Sequence, residues 1–341
     1  MRRTIVTYIC IILSLSALAQ NGKMGIYSVA FYNLENLFDT ENDPLINDEE
    51  FLPEGVNQWT DDKYQLKLKN MAHVISLLGR EHCPGGPAAI GVSEIENRRV
   101  LEDLINTGDL ASMGLDIIHY DSPDLRGVDV ALLYNPKLFQ VSSSKPYAYR
   151  LPDNPDFKTR DVLLVSGTLA GDSFHILVNH WPSRRGNKSS ELREFAAAIN
   201  KHIVDSIYTV NPAAKVVIMG DLNDDPKDKS CSKILKAERK KENTKPGGLF
   251  NPMWGLYDRG IGSLAYQGQW NLFDQIIVSH SLLGDDRSSL KLWKPEIFNR
   301  DFLIQKEGAD KGSGFRTFSG GRFINGYSDH FPVLIYMLKE L

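Results

Sequence analysis

Four times along this chain a strand-like run stops, and within two positions a side chain able to bind a metal or move a proton follows. Val92 gives way to Glu94, Val178 to His180, Met219 to Asp221, and Tyr327 to the pair Asp329-His330. A sheet that delivers polar groups at its strand ends is how α/β scaffolds assemble a site, so the recurrence favours folds that gather strand ends at one edge. The wider pattern agrees. From Ile26 onward, short β-branched and aromatic runs alternate with helical ones, without an internal repeat, low-complexity tract or long charge block. Strands are expected at Ile26–Tyr32, Ala88–Val92, Asp129–Tyr134, Asp161–Leu169, Phe174–Val178, Lys215–Met219, Phe273–Val278 and Phe331–Met337. One helix is expected to start at Asp61 or Asp62 as its cap, with Tyr64, Leu68, Met71, Ile75 and Leu78 on one face. A second is expected from Ser189 or Ser190, with Leu192, Phe195, Ile199, Ile203 and Ile207 on one face. Residues 236–266 are polar and Gly-rich and read as a long surface excursion.

The length of 341 residues is ample for a substantial core, and the net charge of −4 falls to about −6 once Arg2 and Arg3 are removed. A mildly acidic chain gains nothing from its global field in approaching phosphate, so any attraction must be local. Arg2 and Arg3 precede an apolar run from Ile5 to Leu15, and Ala17-Leu18-Ala19 makes an A-x-A cleavage site before Gln20. Residues 1–19 therefore read as an export signal, too short for a membrane span, followed by a single domain over 20–341. The expected location is periplasmic or extracellular, with no transmembrane segment and no stable protein partner. Cys10 would leave with the signal; Cys83 and Cys231 are too few for a disulfide framework, and sequence leaves their pairing open. No clustered Cys/His set for zinc is present.

In Gly220-Asp221-Leu222-Asn223, an extended backbone would point the carboxylate and the amide to one side. Oxygen donors of that kind suit Mg²⁺, Mn²⁺ or Ca²⁺, or the holding of a water molecule. The same residues also spell an Asx-type turn. Asp329-His330 lies among Gly326, Tyr327, Ser328 and Pro332, where a turn would let the two side chains converge or serve only as a polar corner. Glu94, with Glu96 and Asn97 nearby, is either a ligand or a solvated strand end. His180 is followed by Arg184, Arg185 and Gly186, a grouping that suits a phosphate or a plain solvated loop. Signatures of the nucleophile elbow, the P-loop, the zincin helix and the EF-hand loop are absent from the sequence.

The order of these pieces resembles the endonuclease/exonuclease/phosphatase superfamily, which includes DNase I, abasic-site endonucleases, neutral sphingomyelinases and inositol polyphosphate 5-phosphatases. The motifs are Phe31-Tyr32-Asn33, Gly91-Val92-Ser93-Glu94, Val178-Asn179-His180, Gly220-Asp221-Leu222-Asn223, Phe273-Asp274-Gln275 and Ser328-Asp329-His330, spread over residues 26 to 341. The resemblance implies a four-layer α/β sandwich, two packed mixed sheets flanked by helices. It implies Glu94 as the principal metal ligand, with Asn33 and Asp329, for Mg²⁺ (or Mn²⁺, with Ca²⁺ as a further candidate). It casts Asp221 and Asn223 as the pair that orients the attacking water and contacts the phosphate. His330 would act on the phosphoryl oxygens, with Asp274 setting its tautomer and raising its pKa. His180 matches a position where DNase-like and sphingomyelinase-like members carry His, and Arg160 matches a family arginine that can touch phosphate, with a strand-edge surface charge as the alternative; Arg184 is a phosphate candidate from its own neighbourhood alone.

The implied reaction is hydrolysis of a phosphoester, with nucleic acid the leading substrate. Inositol or sugar phosphates, sphingomyelin, or a silent binding role of the same pocket are the alternatives. Ser93 stands where the family usually has Gln, and Glu96-Asn97 where DNase-like members have a basic residue. That exchange and the acidic net charge weigh against duplex DNA, and export weighs against nuclear repair.

Overall fold

The computed structural model describes residues 23–184, 189–266, 268–308 and 310–341. The expected export signal, and Arg185 with Gly186, lie outside the described residues. The first sheet has six strands, in the order Lys291–Ile297 (β14), Val333–Glu340 (β17), Met24–Leu37 (β1), Ala89–Ile95 (β2), Asp129–Tyr134 (β4) and Asp116–His119 (β3). The second has seven: Phe139–Tyr147 (β5), Val162–Leu169 (β6), Asp172–His180 (β7), Lys215–Asp221 (β8), Asp274–Ser279 (β13), Leu249–Phe250 (β10) and Ala237–Glu238 (β9). The ladders β1–β2, β7–β8 and β9–β10 are parallel and the others antiparallel, so both sheets are mixed. Leu264–Tyr266 (β11) with Gln269–Asn271 (β12), and Phe318–Ser319 (β15) with Arg322–Phe323 (β16), form two short hairpins.

The two sheets pack face to face, and alternation along the strands decides what fills each layer. In β8, Val217 and Met219 join Phe31, Val92 and Ile276 between the sheets. Val216 and Ile218 point the other way and join Ala197, Ile203 and Val204 of the helix Ser190–Val210 (α3). On the far side of the first sheet lie Asp61–Leu77 (α1) and Arg98–Ile105 (α2). The result is the four-layer α/β sandwich.

Three expectations need correction. Thr60, not Asp61 or Asp62, occupies the N-cap of α1. The two aspartates sit in its first turn, where their charge complements the helix dipole. The buried face of α3 runs through Arg193, Ala196, Ala197, Asn200, Ile203 and Val204, rotated from the apolar stripe. Arg193 pairs with Asp224 at 2.7 Å and Asn200 donates to Asn179 Oδ1 at 2.7 Å, so two polar side chains are buried with partners in place of solvent. Ser189 does cap α3, accepting from Glu191 N at 3.1 Å. Finally, residues 236–266 are only partly an excursion. Strands β9 and β10 extend the second sheet, Ala237, Leu249 and Met253 are buried, and Asn251 bonds Gln275 at 2.7 Å. No helix among the described residues is long and apolar enough to cross a membrane.

Candidate active site

Register brings the strand ends to one edge. Asn33 of β1 lies beside Ser93 of β2, while His180 of β7 and Asp274 of β13 flank Asp221 of β8. The backbone there is unusual: Glu35, Asn36, Glu94 and Asn223 all have φ between 50° and 57°. Left-handed conformations cost non-glycine residues free energy, and they gather where the surrounding structure imposes them. At Glu94 the result is a bulge, which shifts register against both β1 and β4 and re-aims the carboxylate. Gly220 precedes Asp221 because a Cβ there would lie 2.2 Å from Asn179 O, on a backbone with φ of 156°.

The side chains form two linked groups. His330 Nδ1 lies 2.7 Å from Asp274 Oδ2, which also accepts from Ser263 Oγ at 2.6 Å. His330 Nε2 then faces Asp221 Oδ2 at 3.8 Å and Asp329 Oδ1 at 3.9 Å. Asp221 Oδ1 accepts from Asn223 N at 2.9 Å, and its Oδ2 from Asn33 Nδ2 at 3.2 Å. His180 Nε2 stands 3.6 Å from Asp221 Oδ2 and 3.7 Å from Glu94 Oε1. Glu94 Oε2 accepts from Asn36 N at 3.1 Å, and Asn33 Oδ1 from Glu35 N at 2.9 Å. Asn33, Glu94, His180, Asp221, Asp274, Asp329 and His330 are thus brought together. Ser328 ties the last of these to β1, donating to Asn33 O at 2.8 Å.

Asn223 departs from the extended geometry expected of it. The strand ends at Asp221, and the Asp221 Oδ1 contact makes an Asx turn. Its amide donates to Trp181 O at 3.0 Å, so it meets the centre through its backbone.

Charge follows burial. Burial pushes the His330 imidazole down, but Asp274 and then Asp221 outweigh it, and the net shift is well upward. Burial, with Arg160, Arg126 and His330 adding to it, pushes His180 well down, so this ring stays neutral. Burial raises Asp221; His330 opposes the shift, while Asp274 and Glu94 add to it. One histidine is therefore poised to carry charge and one is not. Glu94, Asn33 and Asp329 offer oxygen donors, and Glu94 Oε1 receives no hydrogen bond among the described residues. That donor chemistry suits a hard divalent cation.

Other candidates sit behind the centre. Arg160 is buried and donates to His180 O at 3.1 Å, Trp181 O at 2.7 Å and Asp124 at 2.9 Å. Arg184 donates to Asn223 O at 2.8 Å and to Asp224 at 2.9 Å, bonds Asp228, and lies over the Phe273 ring. Both guanidinium groups brace backbone. Glu96 faces inward, accepting from Asp39 N at 2.7 Å, with burial and then Asp39, Asp48 and Asp43 pushing it up to about 8. Arg98 and Arg99 lie on α2 against Glu102 and Glu41, at 2.8 and 2.7 Å. Sequence reasoning missed Ser263, Glu35, Lys67 and Arg316. None falls within two positions of the end of a strand-like run, and only the acid at Glu35, two positions beyond Asn33, offered a signal.

A sequence model described as the endonuclease/exonuclease/phosphatase family matches residues 28–339. The chain belongs to the endonuclease/exonuclease/phosphatase family. Among solved structures, ANGEL2, described as a 2',3'-cyclic phosphatase, aligns with a TM-score of 0.60 at 15% identity, over 93% of this chain and 96% of its own. A family protein from Bacteroides thetaiotaomicron aligns at 0.55 and 15% identity, over 94% of this chain and 100% of its own. TDP2 from D. rerio, complexed with a single-strand DNA product, aligns at 0.54 and 13% identity, over 92% and 98%. Identities this low speak to a shared fold. No curated protein matches the chain.

Proposed function

We propose that this family member is an exported, divalent-metal-dependent phosphoester hydrolase, acting first on nucleic acid or a related phosphodiester. Residues 1–19 would leave on export, and 20–341 would form one catalytic domain. The observation that carries the reading is the buried Asp274–His330 pair, whose free Nε2 faces Asp221 Oδ2 at 3.8 Å.

Asp221 would take the proton from an attacking water. Asn223 N engages its Oδ1, Asn33 holds its Oδ2, and burial strengthens it as a base. His330, kept charged by Asp274, would donate from Nε2 to a phosphoryl oxygen in an in-line displacement that leaves no covalent enzyme intermediate. His180 is neutral, and its Nε2 sits between two carboxylates, which favours the proton on Nε2 and a donor role. Glu94, Asn33 and Asp329 would hold Mg²⁺, with Mn²⁺ or Ca²⁺ as substitutes. Such a cation, when bound, polarises a phosphoryl oxygen and offsets charge on the leaving group. Arg160 and Arg184 would serve phosphate indirectly, by fixing the His180, Trp181 and Asn223 backbone.

Two observations favour nucleic acid. Trp270 stacks on Phe331 beside His330, at 5.5 Å and 25°, and is partly exposed, offering a face to a base. TDP2 in its product complex holds single-strand DNA on the same fold. The test is a substrate panel with Mg²⁺ or Mn²⁺ and an EDTA control: single-strand DNA, plasmid, RNA, sphingomyelin, inositol phosphates and bis-p-nitrophenyl phosphate. EDTA-sensitive cleavage of nucleic acid is the expected result. Turnover confined to inositol phosphates or sphingomyelin would replace the substrate assignment. No hydrolysis of even the activated diester would point to a binding role instead.

A further inference from the structure

Asp329 does not stand alone at the edge of the centre. Its Oδ2 accepts from Arg316 Nη2 at 3.0 Å, while its Oδ1 faces His330 Nε2 at 3.9 Å. Arg316 is held in turn from behind, with Nε donating to Glu35 Oε1 at 3.0 Å. Glu35 Oε2 accepts from Thr317 N at 2.7 Å and Thr317 Oγ1 at 2.9 Å. Lys67 of α1, fully buried, donates to Thr317 Oγ1 at 2.7 Å and Tyr327 O at 2.6 Å, with Glu35 at 4.0 Å.

Helix α1 and the stretch leading into β15, both outside the six family motifs, therefore meet on the Glu35 carboxylate at the end of β1, and Arg316 carries that network to Asp329. The approach is close. A Cβ on Gly314 would lie 2.7 Å from both Asp329 O and Ser328 O, so the chain ahead of Arg316 lies directly against the Asp329 loop. A guanidinium can engage two separate carboxylates from different nitrogens of one rigid fork, and an ammonium is a single point charge.

We infer that Arg316 is the positioning residue for Asp329, gripping Oδ2 so that Oδ1 is presented to the cation site. The inference rests on the proposed role of Asp329 as a metal ligand. Glu35, two positions after Asn33, couples this grip to the strand that supplies another proposed ligand. Partners that orient metal ligands commonly carry a 10–100-fold effect on affinity or activity.

The test is Mn²⁺ binding to the purified chain, by calorimetry or electron paramagnetic resonance, with thermal melting alongside. Arg316→Gln should bind Mn²⁺ about 10-fold more weakly while melting near the parent temperature, and Arg316→Lys should fall between the two. In an Asp329→Asn background, Arg316→Gln should change Mn²⁺ affinity no further, because the arginine acts through that carboxylate. Weakened binding in Asp329→Asn with parental binding in Arg316→Gln would overturn the inference alone, as would fully additive losses in the double variant. Parental binding in Asp329→Asn would overturn the ligand assignment and the inference with it. If Arg316→Gln fails to fold, Arg316→Lys carries the test: it retains a cation but cannot grip both acids, and parental Mn²⁺ affinity would then overturn the inference.

Discussion

Replacing Asp274 by Asn changes one atom of a residue with no exposure and should nonetheless disable hydrolysis. In the parent, Asp274 Oδ2 is shared by His330 Nδ1 at 2.7 Å and Ser263 Oγ at 2.6 Å. Burial acts to discharge His330, and Asp274 is the largest influence opposing it. With a neutral amide in its place, the largest influence opposing burial is gone, leaving Asp221 and Asp329 to hold the proton on the imidazole less firmly. Removing one charge from a buried, hydrogen-bonded pair costs about 3–5 kcal/mol. If that charge is required in the transition state, tenfold per ~1.4 kcal/mol gives a fall in kcat of about 10²–10⁴. KM should hardly move, because Asp274 is wholly buried and cannot touch substrate. Ser263→Ala removes a neutral hydroxyl that donates to Asp274 Oδ2 at 2.6 Å and accepts from Asp274 N at 3.1 Å; at about 0.5–1.5 kcal/mol for the bond to the carboxylate, its kcat should drop roughly 2–10-fold. The assay is steady-state hydrolysis of bis-p-nitrophenyl phosphate with saturating Mg²⁺, on variants whose melting curves match the parent. An Asp274→Asn enzyme within about threefold of parental kcat would refute the coupling of Asp274 to His330.

Two further predictions concern stability. Asp224 is buried and accepts from Arg193 at 2.7 Å, Arg184 at 2.9 Å and Ser230 at 2.6 Å, so Asp224→Ala strands a buried guanidinium. The cost of about 3–5 kcal/mol should lower Tm by about 4–7 °C in a chain of this size, and a shift under about 2 °C would show the network to be dispensable. His175 bonds Ser166 Oγ at 2.8 Å, and burial lowers its pKa below the usual 6.5. The fold therefore favours the neutral ring: its contribution is intact above about pH 6.5 and fades as pH falls through the lowered folded-state pKa. His175→Gln should flatten the loss of Tm between about pH 7.5 and pH 5, and an unchanged slope would contradict the assignment.

Much of the centre could be read ahead of the structure because β-sheet geometry is rigid. Once Val92, Val178 and Met219 are strand interiors, polar residues two positions on fall at the strand ends, and register gathers Glu94, His180 and Asp221 at a common edge. What escaped the sequence are contacts made by chain without periodicity. Ser263 reaches Asp274 from the stretch before β11, and Arg316 reaches Asp329 from the stretch before β15. Lys67 was hidden for a different reason: on a helix face chosen by apolar spacing, a lysine reads as exposed, yet its ammonium finds Thr317 and Tyr327 O inside. The face of α3 was misplaced in the same way, since Arg193 and Asn200 are buried against Asp224 and Asn179, 31 and 21 residues away in the chain, in no pattern that hydrophobicity could reveal. Arg160 and Arg184 had the right chemistry for phosphate, but protein acceptors engage Nε, Nη1 and Nη2 of Arg160 and Nε and Nη2 of Arg184.

The most direct test of the centre is the turnover of bis-p-nitrophenyl phosphate by Asp221→Asn beside the parent, in Mg²⁺ and again with EDTA. Asp221 is at once the proposed base and the carboxylate nearest both His180 and His330, at 3.6 and 3.8 Å. Parental activity abolished by EDTA, with a loss of about 10²–10⁴ in the folded variant, is the expected result. Parental turnover by a folded Asp221→Asn protein, or hydrolysis indifferent to EDTA, would contradict it.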